Sequence, residues 1–115
     1  MNNTTLIFVY GSLKAGLHNH YILEHSNLLC THVTAPIFTM ISFDAYPAVL
    51  LNGTTAIHGE VYSVSEDIFA EVAELEGFPF FYNRVEIETK YGTAFMYVMD
   101  EVIGEYCIVD SGIWK

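Results

Sequence analysis

Basic residues are the scarcest class in this sequence. Three lysines and a single arginine, Arg84, stand against 14 acids, for a net charge of −10 over 115 residues. A nucleic-acid partner is excluded on that ground, because an acidic surface repels phosphates and offers no basic patch to release counterions. An anionic membrane surface is disfavoured for the same reason. Long apolar runs are missing too. The stretch TLIFVY at Thr5–Tyr10 is far shorter than the roughly 20 residues a spanning helix needs. The N-terminus also lacks the positive charge of a secretory signal. A soluble, cytoplasmic chain without a membrane partner is expected.

Cysteine is nearly absent. Cys30 and Cys107 fit no metal-ligand spacing, and buried free thiols in a reducing compartment are the expectation. Five histidines (His18, His20, His25, His32 and His58) occur without an HExxH pattern. His18 and His20 would point apart on a helix, so no metal site is expected, and nothing in the sequence calls for an organic cofactor.

What the chain has in abundance is apolar and aromatic surface: hydrophobic residues make up 52%, with 8 tyrosines and 8 phenylalanines. Residues 1–115 are enough for one core and one domain. Thr5–Tyr10 reads as a buried strand ended by Gly11, and His18–Leu29 as a short helix with Asn19 as its N-cap. Thr34–Phe43 reads as extended, interrupted by Pro36. Asn52-Gly53 reads as a hairpin turn, and Ile57–Val64 alternates as a strand. Ser63 or Ser65 caps a second helix, with a possible Ser63/Glu66 capping box. Gly77 stops that helix and Pro79 prevents its resumption. Phe81–Thr89 and Thr93–Met99 form a hairpin about Tyr91-Gly92. The pattern predicts an α+β fold: a compact mixed or antiparallel sheet, curled toward a barrel, with two or more packed helices.

Within Ser65–Arg84 (SEDIFAEVAELEGFPFFYNR) one acid is out of place. On a helix Ile68, Phe69, Val72 and Leu75 form the apolar stripe, with Glu66, Asp67, Glu71 and Glu74 opposite. At roughly 100° per residue Glu76 projects between Val72 and Phe69, toward the core. Either the last turn frays and the carboxylate bends out to water, or it lies in a partly apolar cleft with a raised pKa. The second case suits general acid–base work near neutral pH, and the negative end of the helix dipole adds to it.

YGSLK at Tyr10–Lys14 is a second candidate. A strand ending in Gly-Ser leaves consecutive backbone N–H groups free to hold a carboxylate or an oxyanion, although such a dipeptide is most often only a turn. Arg84, alone among so many acids, reads as a structural ion pair before a substrate contact. Tyr46, Tyr62, Tyr82 and Tyr97 read as core or cavity walls, and a buried phenol needs a partner.

Taken in order, FVYGSLKAG with the following Asn19-His20, AYPAV, HGEVYSV, LEGFPFFYNR, AFMYV and SGIW resemble the γ-glutamylcyclotransferase-like family, in its small bacterial and γ-glutamylamine cyclotransferase branch. Ile113 departs from the pattern, since relatives often carry an acid before that tryptophan. The resemblance implies a compact barrel-like mixed sheet and a substrate-binding loop at Tyr10, Gly11, Ser12 and Leu13. It makes Glu76 the catalytic acid–base and Tyr82 a cavity residue beside it. It also implies a small γ-glutamyl substrate, converted without cofactor to 5-oxoproline and a free amine. The alternative is a non-catalytic module holding a small carboxylated metabolite on the same fold.

Overall fold

The computed structural model describes residues 4–102 and 104–114. Its centre is β1 (Thr4–Val9), which starts at an exposed threonine and becomes fully buried over Ile7–Val9. It is accordingly paired on both edges: antiparallel to β5 (His58–Ser65) and parallel to β7 (Gly92–Val98). β2 (Asn27–Val33) joins the far edge of β5, and β6 (Asn83–Thr89) joins β7. The order of this mixed sheet is β2-β5-β1-β7-β6. A second, antiparallel sheet runs β4-β3-β8, from β3 (Phe38–Ser42), β4 (Pro47–Thr55) and β8 (Cys107–Ile108). The Met99 N–H donates to the Val49 carbonyl at 3.0 Å and stitches the end of β7 to β4, which curls the two sheets together.

Side chains of β1 alternate between two buried clusters, as period two requires. Ile7 and Val9 pack with Leu23, Val64 and Val72, while Phe8 and Tyr10 pack with Met40, Val49 and Met96. Val72 comes from α1 (Glu66–Glu76), the one α-helix among the described residues. The expectation of two or more helices is corrected here. Only His20–Leu23 of the predicted helix His18–Leu29 is helical, as a single 3-10 turn, and Asn27–Val33 is strand β2. An edge position on β5 supplies ladder hydrogen bonds that an isolated short helix cannot match in water. Asn19 flanks that turn but makes no side-chain capping bond to it.

Asn52-Gly53 is likewise not a hairpin turn. β4 runs through it, and the register against β3 jumps from Thr39↔Leu50 to Phe38↔Thr55, so the intervening residues bulge. A Cβ on Gly53 would collide with the Phe38 backbone and the Thr39 hydroxyl, so glycine serves close approach here and not a left-handed turn. The capping box gives way to a single cap. Ser63 lies within β5, and Ser65 caps α1 by accepting from the Ile68 N–H. Both thiols are free, but Cys30 is half-buried and Cys107 exposed, contrary to the expectation that both are buried. The β6–β7 hairpin closes at Thr89↔Gly92. Among the described residues no helix is long and apolar enough to cross a membrane.

Candidate active site

Gly77 ends α1 in the left-handed conformation, φ 67° and ψ 32°. Its N–H donates to the Glu74 carbonyl at 3.1 Å and the Phe78 N–H to the Ala73 carbonyl at 3.0 Å, a Schellman closure. The last turn is therefore held, not frayed, and Glu76 at its end faces a cavity of about 310 Å³. Val72 is fully buried beneath it, whereas Leu75, expected in the apolar stripe, is 42% exposed and forms part of the cavity rim. The chain then turns through a cis Phe78–Pro79 bond and brings Phe81 and Tyr82 to the same cavity.

The turn that follows β1 lines the same cavity. Tyr10, Gly11, Ser12 and Leu13 all line the cavity, so the residues singled out in two distant stretches of sequence meet around one space. Sequence reasoning did not find what fixes this turn. The Lys14 N–H donates to the Gly11 carbonyl at 3.0 Å. The Asn19 N–H donates to the Ser12 carbonyl at 3.0 Å, and the Asn19 side-chain amide donates to Ser12 Oγ at 2.7 Å. His20 donates from Nδ1 to the Leu13 carbonyl at 2.9 Å. All three carbonyls of the turn are thus engaged by the segment after it. The N–H groups of Gly11, Ser12 and Leu13 make no hydrogen bond to any other described residue. Three consecutive unpartnered N–H groups beside a cavity are donors available to an anion. Gly11 has a steric role as well: a Cβ there would stand 3.0 Å from Cγ of Pro47, another cavity residue.

Burial raises the Glu76 carboxyl from 4.5 to about 7. The side chain is reached from the cavity and otherwise enclosed by protein, so its charge loses most of its hydration without gaining a cation. Its charge in turn acts on Tyr10, Tyr82 and Tyr97, whose phenols are pushed up, first by their own burial. The Tyr10 hydroxyl donates to the Tyr97 carbonyl at 2.7 Å and the Tyr82 hydroxyl to the Pro47 carbonyl at 2.6 Å. Both rings are therefore locked as walls. Tyr97, expected as a core or cavity wall, and Pro47 of AYPAV also line the cavity, as does His18, to which the sequence reading gave no role there.

Arg84 is not an ion pair. Its guanidinium lies 4.0 Å from the ring centre of Phe78, 4.6 Å from Phe69 and 5.1 Å from Phe95, and donates to Tyr97 Oη at 3.3 Å. The rings hold the cation by their quadrupoles, and no described carboxylate pairs with it. Among the described residues no group of three or more His, Cys, Asp or Glu side chains converges in a way that could hold a metal ion.

A curled mixed sheet with one α-helix among the described residues, and a half-enclosed cavity lined by both a desolvated carboxylate and free backbone donors, define a small α+β protein with a site of small-molecule size. The family model described as gamma-glutamyl cyclotransferase, AIG2-like, matches residues 7–115. The chain belongs to this family and is an enzyme of the γ-glutamylcyclotransferase type. It is 42% identical over 109 residues to a Vibrio cholerae protein provisionally named a gamma-glutamylcyclotransferase, spanning 95% of this chain and 94% of that one. It is 36% identical over 109 residues to the gamma-glutamylcyclotransferase family protein YtfP of Escherichia coli, spanning 94% of each. The solution structure of the E. coli protein superposes with a TM-score of 0.77 at 33% identity, over 96% of each chain. The crystal structure of a mouse AIG2-like protein superposes with a TM-score of 0.84 over 98% of this chain and 89% of that one. At 21% identity the mouse protein speaks for the fold alone.

Proposed function

We propose that the chain cyclises γ-glutamyl compounds without a cofactor, releasing 5-oxoproline and an amine. The nucleophile is part of the substrate: its α-amine attacks its own γ-carbonyl carbon. A new C–N bond closes the five-membered ring, and the original amide C–N bond breaks. Such a reaction needs a folded substrate pose, a proton carrier and a site for developing negative charge, because intramolecular attack already supplies the proximity.

Glu76 is the proton carrier. Its carboxylate takes a proton from the attacking nitrogen and returns it to the departing amine, so the enzyme ends in the state in which it began. A carboxyl raised to about 7 is half ionised near neutral pH, which suits a group that must act as base and then as acid. The free N–H groups of Gly11–Leu13 hold the substrate's α-carboxylate or the oxyanion of the tetrahedral intermediate. Tyr82, with Tyr10, walls the cavity around the glutamyl chain. The observation that carries this reading is the meeting of these two groups, a desolvated acid and an unpartnered donor turn, across one cavity.

The test is a screen of γ-glutamyl amines, γ-glutamyl dipeptides and glutathione for 5-oxoproline release, with Glu76→Gln as control. The variant is expected to keep the fold and ligand binding and to lose turnover by about 10² or more. Wild-type-like turnover in the variant would end the assignment of Glu76. Binding without release by the wild-type protein, for every compound, would favour a non-catalytic module instead.

A further inference from the structure

Three buried tyrosines line the cavity, and their hydroxyl hydrogens are used differently. A phenol has one hydrogen to give. Tyr10 gives its hydrogen to the Tyr97 carbonyl, and Tyr82 gives its own to the Pro47 carbonyl. Tyr97 is only 4% exposed, yet among the described residues its hydroxyl oxygen only accepts, from Arg84 at 3.3 Å. Arginine is donor-only, so this bond leaves the Tyr97 hydrogen without an acceptor among the described residues. A buried donor left unmatched costs about 1–3 kcal/mol and so points to a ligand that completes it.

Arg84 is fixed for this purpose on more than one side. Its guanidinium is in contact with Phe78, Phe69 and Phe95, and Phe78 also meets the Tyr97 ring edge-on, with centres 6.2 Å apart. Phe78 is two residues beyond Glu76, so the turn that presents the carboxylate also clamps the cation behind the phenol.

We propose that Tyr97 donates a hydrogen bond to the substrate's γ-carbonyl oxygen as negative charge develops there, and that Arg84 is the positioning residue that turns the Tyr97 hydrogen into the cavity. Tyr97 keeps its proton throughout, and Glu76 alone transfers one. The inference rests on the cyclotransferase reading of the same site.

The experiment is steady-state kinetics on a γ-glutamyl arylamide that yields a coloured amine, with 5-oxoproline measured in parallel. Wild type, Tyr97→Phe, Arg84→Met, the double variant and Glu76→Gln are compared, and thermal melts check folding. Tyr97→Phe preserves the ring and is expected to lower kcat by about 10² with KM within about threefold, the signature of an interaction made in the transition state. Arg84→Met is expected to lower kcat by about tenfold in the wild-type background and not at all in the Tyr97→Phe background. An unchanged kcat in Tyr97→Phe, a loss confined to KM, or an Arg84→Met loss that persists undiminished in the double variant overturns the inference. Turnover lost in Glu76→Gln but intact in Tyr97→Phe overturns this inference alone. No 5-oxoproline from the wild-type protein overturns the cyclotransferase reading and this inference with it.

Discussion

Glu76→Gln is expected to stabilise the protein above neutral pH and to leave its relative stability unchanged in acid. The carboxyl is displaced upward, from 4.5 to about 7, by burial. Between those two values the folded chain holds a proton that the unfolded chain has released, so folding stability falls as pH rises through the window. Below about 4.5 both states are protonated and the penalty is absent. Above about 7 both are ionised and the penalty is complete. At about 1.4 kcal/mol per decade of proton concentration, the displacement amounts to about 3 kcal/mol. Glutamine carries no such term, and any fixed cost of its amide is the same at every pH. Urea denaturation or thermal melts of both proteins from pH 4 to pH 8.5 measure the difference. For a chain of this size the relative shift in Tm is on the order of 10 °C, growing from pH 4.5 to 7 and constant beyond. A gap that does not change with pH would refute the claim that Glu76 is desolvated. A wild type that gains on the variant as pH rises would show instead that the carboxylate is paired.

Turnover should follow the same group with the opposite sign, because the base must be ionised. kcat/KM is expected to fall about tenfold per pH unit below about 7, and a profile flat from pH 5 to 8 would remove Glu76 as the base. Tyr82→Phe deletes the donor to the buried Pro47 carbonyl and should cost about 1–2 kcal/mol by urea denaturation, with a modest rise in KM as that wall loosens. Gly77→Ala puts a side chain at φ 67°, with its Cβ 2.8 Å from that of Phe81, and should lower stability by about 1–2 kcal/mol in the same assay. Ser65→Ala removes the acceptor for the Ile68 N–H and should cost about 1 kcal/mol without affecting kcat.

The Gly77 stop and the β6–β7 hairpin at Tyr91-Gly92 were readable, and the cap of α1 to within the choice of Ser63 or Ser65, because each depends on backbone dihedrals and hydrogen bonds within a few residues. β1 was readable as a buried strand because its apolar run Leu6–Val9 is too short for a helix and is ended by Gly11. The direction of Glu76 from helix geometry belongs with these. Elements whose alternatives are close in local energy were misread. His18–Leu29 has no decisive helix signal: only His20–Leu23 is helical, and pairing with β5, some thirty residues downstream, draws its end from Asn27 into a strand. Asn52-Gly53 is a turn dipeptide in isolation, but β3 holds both of its flanks in register and converts it to a bulge. The single arginine was read as an ion pair, yet Phe69, Phe78 and Phe95 come from three different elements and surround it first.

The sequence by itself determined that helix geometry aims an acid at the end of α1 toward the core, and that a glycine-serine pair would end β1; that the last turn is held and not frayed came from the structure. It could not determine that the two line one cavity, because that depends on β1, β5 and α1 packing as one unit. Only the tertiary structure decided the chemistry of the acid. Glu76 is raised to about 7 because protein from distant parts of the chain excludes water from it, among it Tyr10, Tyr82 and Tyr97. Desolvation is a property of the assembled surroundings, and no pattern along the chain encodes it.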